Sequence, residues 1–140
     1  MFSSQLPDDQ DYRVIIGTYA KNHYVKRFEK NYKGKRWDIT FLSIEAELRR
    51  IHELLLTQRV DELKRGSGCI LFKYDFTVAQ SNVSPKASGN RCVVFLDTET
   101  HLQTILLLYG KDDLPKNQGE TSWILQTVRN EYTDTWKRLE

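Results

Sequence analysis

The spacing of apolar residues in the first half of this 140-residue chain predicts a strand followed by two helices. Tyr12 to Tyr19 is rich in β-branched and aromatic residues, as is typical of a strand. The first helical pattern ends near Gly34. The second has apolar residues three or four apart, at Trp37, Phe41, Ile44, Leu48, Ile51 and Leu55. Two helices joined by so few residues are expected to pack antiparallel as a hairpin.

The second half of the chain has the two-residue period of β-strands. Residues 70–78 alternate between apolar and polar side chains, as expected of a half-buried strand. Residues 91–97 and 102–109 are apolar on both faces, which is typical of central strands that are covered on both sides. A final helix follows, with apolar residues at Ile124, Val128, Tyr132 and Trp136. Asn117 and Glu120 precede it at the spacing of a capping box, so we interpret Glu120 as a helix cap.

This order of elements, β-α-α-β-β-β-α, predicts an α+β fold. Consecutive strands joined by short loops form a small antiparallel sheet, and the sheet is covered by the N-terminal helical hairpin and the C-terminal helix. The length fits a single domain over residues 1–140. Residues 1–11 are polar and are expected to form a flexible tail.

Positive charge is concentrated in the middle of the chain. The net charge is only +2, but residues 21–92 carry fifteen Lys and Arg against eight Asp and Glu. A cluster on the first helical pattern would attract polyanions such as RNA, and its candidate RNA-binding residues are Lys26, Arg27, Lys30 and Lys33. The alternative interpretation is an ordinary solvated helix face.

Several classes of site are absent from the sequence. The three histidines and two cysteines lie at no spacing that would assemble a zinc site, and there is no glycine-rich nucleotide motif. We therefore expect neither a metal nor a cofactor. No apolar run is long enough to cross a bilayer and the N-terminus does not resemble a signal peptide, which predicts a cytoplasmic protein without membrane association.

Residues 84–120 hold the candidate chemistry. A loop carrying Lys86 leads into the strand that begins at Arg91, and the next strand ends in Tyr109-Gly110-Lys111. Two or three cations and a phenol beside the end of a small sheet suit phosphate better than a metal. A one-residue change in the hairpin loop at 97–101 reverses whether Arg91 and Tyr109 share a face, so the sequence leaves that point open.

Together these motifs resemble the RelE/ParE superfamily of small bacterial toxins, in particular RelE- and HigB-like mRNA interferases. The resemblance depends on the order of short motifs over residues 12–132: His23-Tyr-Val-Lys26-Arg27-Phe28, Ile70-Leu-Phe-Lys-Tyr, Asn90-Arg91-Cys-Val-Val-Phe and Ile105-Leu-Leu-Leu-Tyr109-Gly110-Lys111-Asp112. It implies a toxin of a toxin–antitoxin system that cleaves mRNA on the ribosome without a metal. Its partners would then be a cognate antitoxin protein, mRNA and the ribosome.

The resemblance also implies roles for the candidate catalytic residues. The ribose 2′-hydroxyl attacks the adjacent phosphate, which requires a proton acceptor, cations and a proton donor. Arg91 matches the strand arginine of the family and would hold the phosphate, and Lys111 matches the basic position after the last strand. Lys73 or Lys86 would act as the base, and Tyr109 would stack on a base or relay a proton. Each of these residues also has a purely structural interpretation at a strand end, on a sheet face or in a loop.

Two other functions fit the same resemblance, so the enzyme assignment stays open at this point. A ParE-like toxin poisons gyrase without cleaving RNA, and a non-catalytic member would bind RNA or protein only. The chain departs from the family by its N-terminal extension, by the connector at 80–90, and by the lack of a histidine that some members carry near the C-terminus. The sequence carries no signal for codon preference, for the identity of the antitoxin or for an oligomeric state.

Overall fold

The structure is a computed structural model that describes residues 12–32 and 34–140, so the predicted tail at 1–11 and the candidate Lys33 lie outside it. The strands are β1 (Arg13–Ile16), β2 (Val60–Gly66), β3 (Cys69–Phe76), β4 (Asn90–Asp97) and β5 (Leu102–Tyr109). The helices are α1 (18–31, with a π-helical turn at Lys21–Val25), α2 (Arg36–Arg49), α3 (Ile51–Leu54), α4 (Pro85–Ser88), α5 (Glu120–Glu131) and α6 (Thr133–Leu139). A 3₁₀ turn, Lys111–Asp113, follows β5.

The strands form a five-stranded sheet in the order β1-β5-β4-β3-β2, which confirms the α+β class. The sheet is mixed, because β1 pairs parallel with β5 while every other pairing is antiparallel. Strand β2 was not predicted from the sequence. It lies at an edge, where few of its side chains are buried, so the residues 60–66 lack the apolar alternation that marks β3.

The two sheet faces are covered by different parts of the chain. On one face Phe28 of α1 packs against Phe76 with ring centroids 6.0 Å apart, and Gln103 donates a hydrogen bond to the backbone oxygen of Leu48 in α2 at 2.7 Å. On the other face the α5 side chain of Trp123 packs edge-on against Tyr109 at 5.0 Å. Because both faces are covered, β4 and β5 bury almost every side chain.

The C-terminal region differs from the prediction in two respects. The helix is broken at Tyr132 into α5 and α6, and the Tyr132 hydroxyl accepts a hydrogen bond from the Ala20 backbone and donates one to the Leu106 carbonyl. The predicted capping box is wrong, because the N-cap of α5 is Gly119 and Asn117 lies outside the helix. Glu120 is the first helical residue and directs its carboxylate to the sheet.

The connector at 80–90 contains the short helix α4. Its N-cap Ser84 accepts a hydrogen bond from the Ala87 backbone, and Gly89 ends it with a positive φ of 77°. This turn brings the connector back against the start of β4. No helix in the described part of the chain is long and apolar enough to cross a membrane.

Candidate active site

Three strand ends bring the candidate residues to one end of the sheet. Asp75 in β3 is the register partner of Arg91 in β4, and Arg91 is the register partner of Tyr109 in β5. Register partners in adjacent strands point to the same face, so Arg91 and Tyr109 share the face covered by α5. Lys73 lies two residues before Asp75 on that face. The sequence leaves open whether Arg91 and Tyr109 share a face, and the register shows that they do.

Arg91 is held firmly by groups of the protein itself. Its Nε lies 2.9 Å from the Asp75 carboxylate, and its terminal nitrogens donate to the backbone oxygens of Pro85, Lys86 and Asn90 at 3.0–3.3 Å. A guanidinium has five N–H groups, so these contacts leave one for an added ligand. The side chain is 17% exposed. Arg91 can therefore offer a phosphate its charge and a single N–H, and not two parallel hydrogen bonds.

Asp75 is a buried carboxylate beside three cations. Burial raises the pKa of its carboxyl group above the usual value, while the charges of Arg91, Lys73 and Lys86 partly oppose that rise. Only 5% of the residue is exposed. A carboxylate with a raised pKa that is fixed next to an arginine has the properties of a general base. Asp75 is not among the site residues predicted from the sequence.

Lys73 and Glu120 form a second charged pair on the same face. The Lys73 ammonium lies 3.1 Å from one oxygen of Glu120 and 3.8 Å from Asp61 of β2. The Tyr109 hydroxyl donates to the other Glu120 oxygen at 2.7 Å. Burial opposes the charge of Glu120, but the hydrogen bonds from Tyr109 and Lys73 outweigh it and lower the pKa of the carboxyl group. Lys73 is thus engaged with carboxylates and is a poor candidate for the base.

Tyr109 is buried between the sheet and α5. It has no exposed surface, and its ring contacts Trp123. Burial and the neighbouring Glu120 both raise the pKa of its hydroxyl well above the ordinary value, so the group stays protonated and keeps donating to Glu120. A fully buried ring does not fit the predicted role of stacking on a base, while the hydroxyl, predicted to relay a proton, is bonded to the Glu120 carboxylate.

Lys86 and Lys111 are the exposed cations of this sheet end. Lys86 lies in α4, whose backbone holds Arg91. Lys111 begins the 3₁₀ turn after β5, and a Cβ placed on Gly89 would lie only 2.9 Å from the Lys111 Cβ. Of the predicted catalytic set, the structure gathers Arg91, Lys73 and Tyr109 on one face and places Lys86 and Lys111 at its rim.

The predicted RNA-binding residues of α1 do not join this face. Lys26, Arg27 and Lys30 are exposed on a helix that covers the opposite side of the sheet. Arg27 is moreover paired with Asp113 through both terminal nitrogens, at 2.5 and 2.6 Å. The α1 cations and the Arg91 cluster therefore lie on opposite faces of the sheet, although both border the same end.

Glu120 provides a test of the charge arrangement by pH. Its folded-state pKa is lowered, so the stability it contributes is present above its unfolded pKa and is lost as the pH falls through the folded value. We expect Glu120→Gln to reduce the free energy of unfolding by about 1 kcal/mol at pH 7 and by much less at pH 3. Urea unfolding at both pH values measures this.

Glu131→Gln is the matched control, because Glu131 ends the same helix and is exposed. It should change the free energy of unfolding little at either pH. If Glu120→Gln lowers the free energy of unfolding equally at pH 7 and pH 3, the Glu120 carboxyl group does not stabilise the fold through its charge.

Comparison with known proteins gives one solved structure. No protein-family model and no curated protein matches the chain. The chain is similar to a chain in the crystal structure of an archaeal RelE–RelB complex from Pyrococcus horikoshii OT3, with 16% sequence identity and a TM-score of 0.49. The match covers 74% of this chain and 99% of that chain. At this identity the two chains share too few side chains for any residue's role to carry over.

Proposed function

We propose that this protein is an RNA-cleaving toxin whose reaction centre is the pair Asp75 and Arg91. The observation that carries the proposal is the position of this pair. A buried carboxylate with a raised pKa lies 2.9 Å from a guanidinium, at a sheet end bordered by two exposed lysines. This is the set of groups that metal-independent attack by a ribose hydroxyl requires.

The reaction follows from the properties of these groups. Asp75 accepts the proton of the 2′-hydroxyl while the 2′-oxygen forms its bond to phosphorus. Arg91 stabilises the negative charge that develops on the phosphate oxygens through its remaining N–H and its charge. The bond from phosphorus to the 5′-oxygen then breaks, and the Lys86 ammonium donates a proton to that oxygen. The products are a 2′,3′-cyclic phosphate and a free 5′-hydroxyl.

We take mRNA in the decoding site of the ribosome as the substrate and the cytoplasm as the compartment, as the sequence resemblance implies. The test is incubation of the purified protein with a defined mRNA, with and without translating ribosomes and in the presence of EDTA. We expect cleavage with ribosomes, insensitive to EDTA, and fragments that end in a cyclic phosphate. Intact mRNA in every reaction would refute the proposal, and a DNA-damage response in cells without transcript cleavage would favour gyrase poisoning.

An apolar groove on the hairpin side of the molecule supports the proposal of an antitoxin partner. It encloses about 590 Å³ and is lined by Ile16, Lys21, Val25, Lys26, Glu29, Trp37, Asp38, Phe41 and Leu42. Leu42 is 65% exposed. Beside it β1 forms an edge of the sheet. The two lysines of the lining are matched by Glu29 and Asp38, so the groove as a whole fits an apolar peptide segment.

Replacing Leu42 tests this partner surface. We expect Leu42→Asp to weaken binding of the antitoxin by roughly tenfold or more, because a charge would enter an apolar contact. Isothermal titration with the purified antitoxin, taken from the adjoining reading frame, measures the affinity. Leu56→Asp is the matched control, since Leu56 is 84% exposed and lies outside the groove. Equal affinities for the two variants would place the antitoxin elsewhere.

A further inference from the structure

A small pocket that the proposed reaction does not use lies where the start of α1 meets the end of α5. We call it the ring pocket. It encloses about 350 Å³ and is lined by Thr18, Tyr19, Asn22, His23, Glu131 and Tyr132. This volume lies near the lower end of the range for ligand sites, so it suits a group of the size of one amino-acid side chain.

The wall formed by Tyr132 is fixed before any ligand binds. Its hydroxyl accepts a hydrogen bond from the Ala20 backbone N–H at 3.0 Å and donates one to the Leu106 carbonyl at 2.8 Å. A Cβ on Gly17 would lie only 2.6 Å from that hydroxyl, so the ring reaches this position because residue 17 has no side chain. A wall that is already in place loses little conformational entropy when a ligand binds.

Two further rings come from the start of α1. The π-helical turn Lys21–Val25 carries His23, and the centroid of its ring lies 4.1 Å from that of Tyr19. Tyr19 in turn meets Tyr132 edge to face at 6.3 Å. Such π-helical turns within α-helices occur frequently at functional sites. Three aromatic side chains therefore border one pocket, and each of them keeps part of its surface exposed.

The charge of the ring pocket favours a cation. Glu131 is exposed, and it is the one Asp, Glu, Lys or Arg among the six residues that line the pocket. Lys21 and Lys26 of α1 line the apolar groove instead. The faces of aromatic rings attract cations, and a carboxylate beside them adds a negative charge and two acceptor oxygens. The pocket therefore fits a planar organic cation.

We propose that the ring pocket binds the guanidinium group of an arginine side chain that a partner protein presents. A guanidinium can lie flat on an aromatic ring while it donates two parallel hydrogen bonds to a carboxylate, and an ammonium group cannot. A protein is the source because the six lining residues include no Lys or Arg to neutralise the carboxylate of free arginine. The ring pocket shares no lining residue with the apolar groove, and the inference does not rest on the proposed RNA cleavage.

The test titrates the full chain with N-acetylarginine amide at about pH 8, where imidazoles carry little charge, and follows the ring-proton NMR signals of Tyr19, His23 and Tyr132. We expect all three to shift, with half-saturation on the order of 1–10 mM. N-acetylcitrulline amide has nearly the same shape without the charge and should bind at least roughly fivefold more weakly. Equal binding of these two compounds, or shifts only outside the pocket, would overturn the proposal. Tighter binding of free arginine than of its amide would overturn the assignment to a protein partner.

Two variants and a control identify the pocket. Glu131→Gln keeps the shape of the rim but removes its charge, and it should weaken binding of N-acetylarginine amide by roughly fivefold. His23→Ala removes one ring at an exposed position and should weaken it by roughly threefold. Asp134→Asn is the matched control, because Asp134 is an exposed carboxylate of α6 outside the lining. If both pocket variants bind the amide as tightly as Asp134→Asn does, the assignment is wrong.

Discussion

Asp75→Asn is expected to lower the rate of RNA cleavage by roughly 10²- to 10⁴-fold, the contribution of a well-placed general base. Asparagine has nearly the same shape and can still accept a hydrogen bond from Arg91, so the sheet end should keep its structure. It cannot take the 2′-hydroxyl proton. RNA affinity should persist, because Arg91, Lys86 and Lys111 retain their charges. Single-turnover cleavage and binding of an uncleavable 2′-deoxy substrate measure the two effects separately.

The pH dependence of cleavage gives a second readout of the same group. The base must be ionised, so the wild-type rate should rise with pH and level off above the pKa of Asp75, which is higher than that of an ordinary aspartate. In Asp75→Asn the residual cleavage rate should not show this rise with pH. Asp134→Asn, at an exposed position in the first turn of α6, is the matched control and should leave the rate unchanged. Cleavage by Asp75→Asn at the wild-type rate would remove Asp75 from the mechanism.

The central strands could be predicted from the sequence because they consist mostly of apolar residues. Strands β4 and β5 follow the predicted ranges closely, since apolar residues at nearly every position leave few alternatives. Strand β3 also follows its predicted range, but the expected half-buried strand is wrong, because both of its faces are covered. The parallel pairing of β1 with β5 could not be predicted in this way. Four residues carry no information about a partner about ninety positions later, and the pairing depends on how the hairpin packs.

The candidate site was predicted in part for a similar reason. Arg91 could be predicted because a cation at the start of an apolar strand needs a partner of opposite charge. Which residue is that partner depends on the register between β4 and β3. A signal for Asp75 did exist: Lys73 and Asp75 are charged residues in a strand that is otherwise apolar, and charges buried on a covered face require opposite charges nearby. Glu120 was misinterpreted because local spacing suggested a cap, whereas the docking of α5 directs its carboxylate to Lys73 and Tyr109.

Gly66→Ala is expected to reduce the free energy of unfolding by about 2–4 kcal/mol, the largest stability effect we predict. A Cβ on Gly66 would lie 2.2 Å from the backbone oxygen of Arg138 and 3.0 Å from the Leu139 Cα. Backbone atoms at that range cannot move aside independently, so the end of α6 has to leave the sheet. Leu139, which is 1% exposed, would then lose its burial. Urea unfolding followed by tryptophan fluorescence measures the change.

The cause of this loss can be separated from a general intolerance of alanine. Gly119→Ala adds the same methyl group where nothing lies within 4 Å, and it should leave the free energy of unfolding nearly unchanged. A chain that ends at Lys137 lacks both α6 backbone atoms that the new Cβ would strike, and of the close contacts it keeps the Cys69 Sγ at 3.0 Å. The shortened chain is itself less stable because Leu139 is gone. In it, Gly66→Ala should lower the free energy of unfolding further by less than about 1 kcal/mol. A full loss in the shortened chain would show that the alanine disturbs β2 and not the contact with α6.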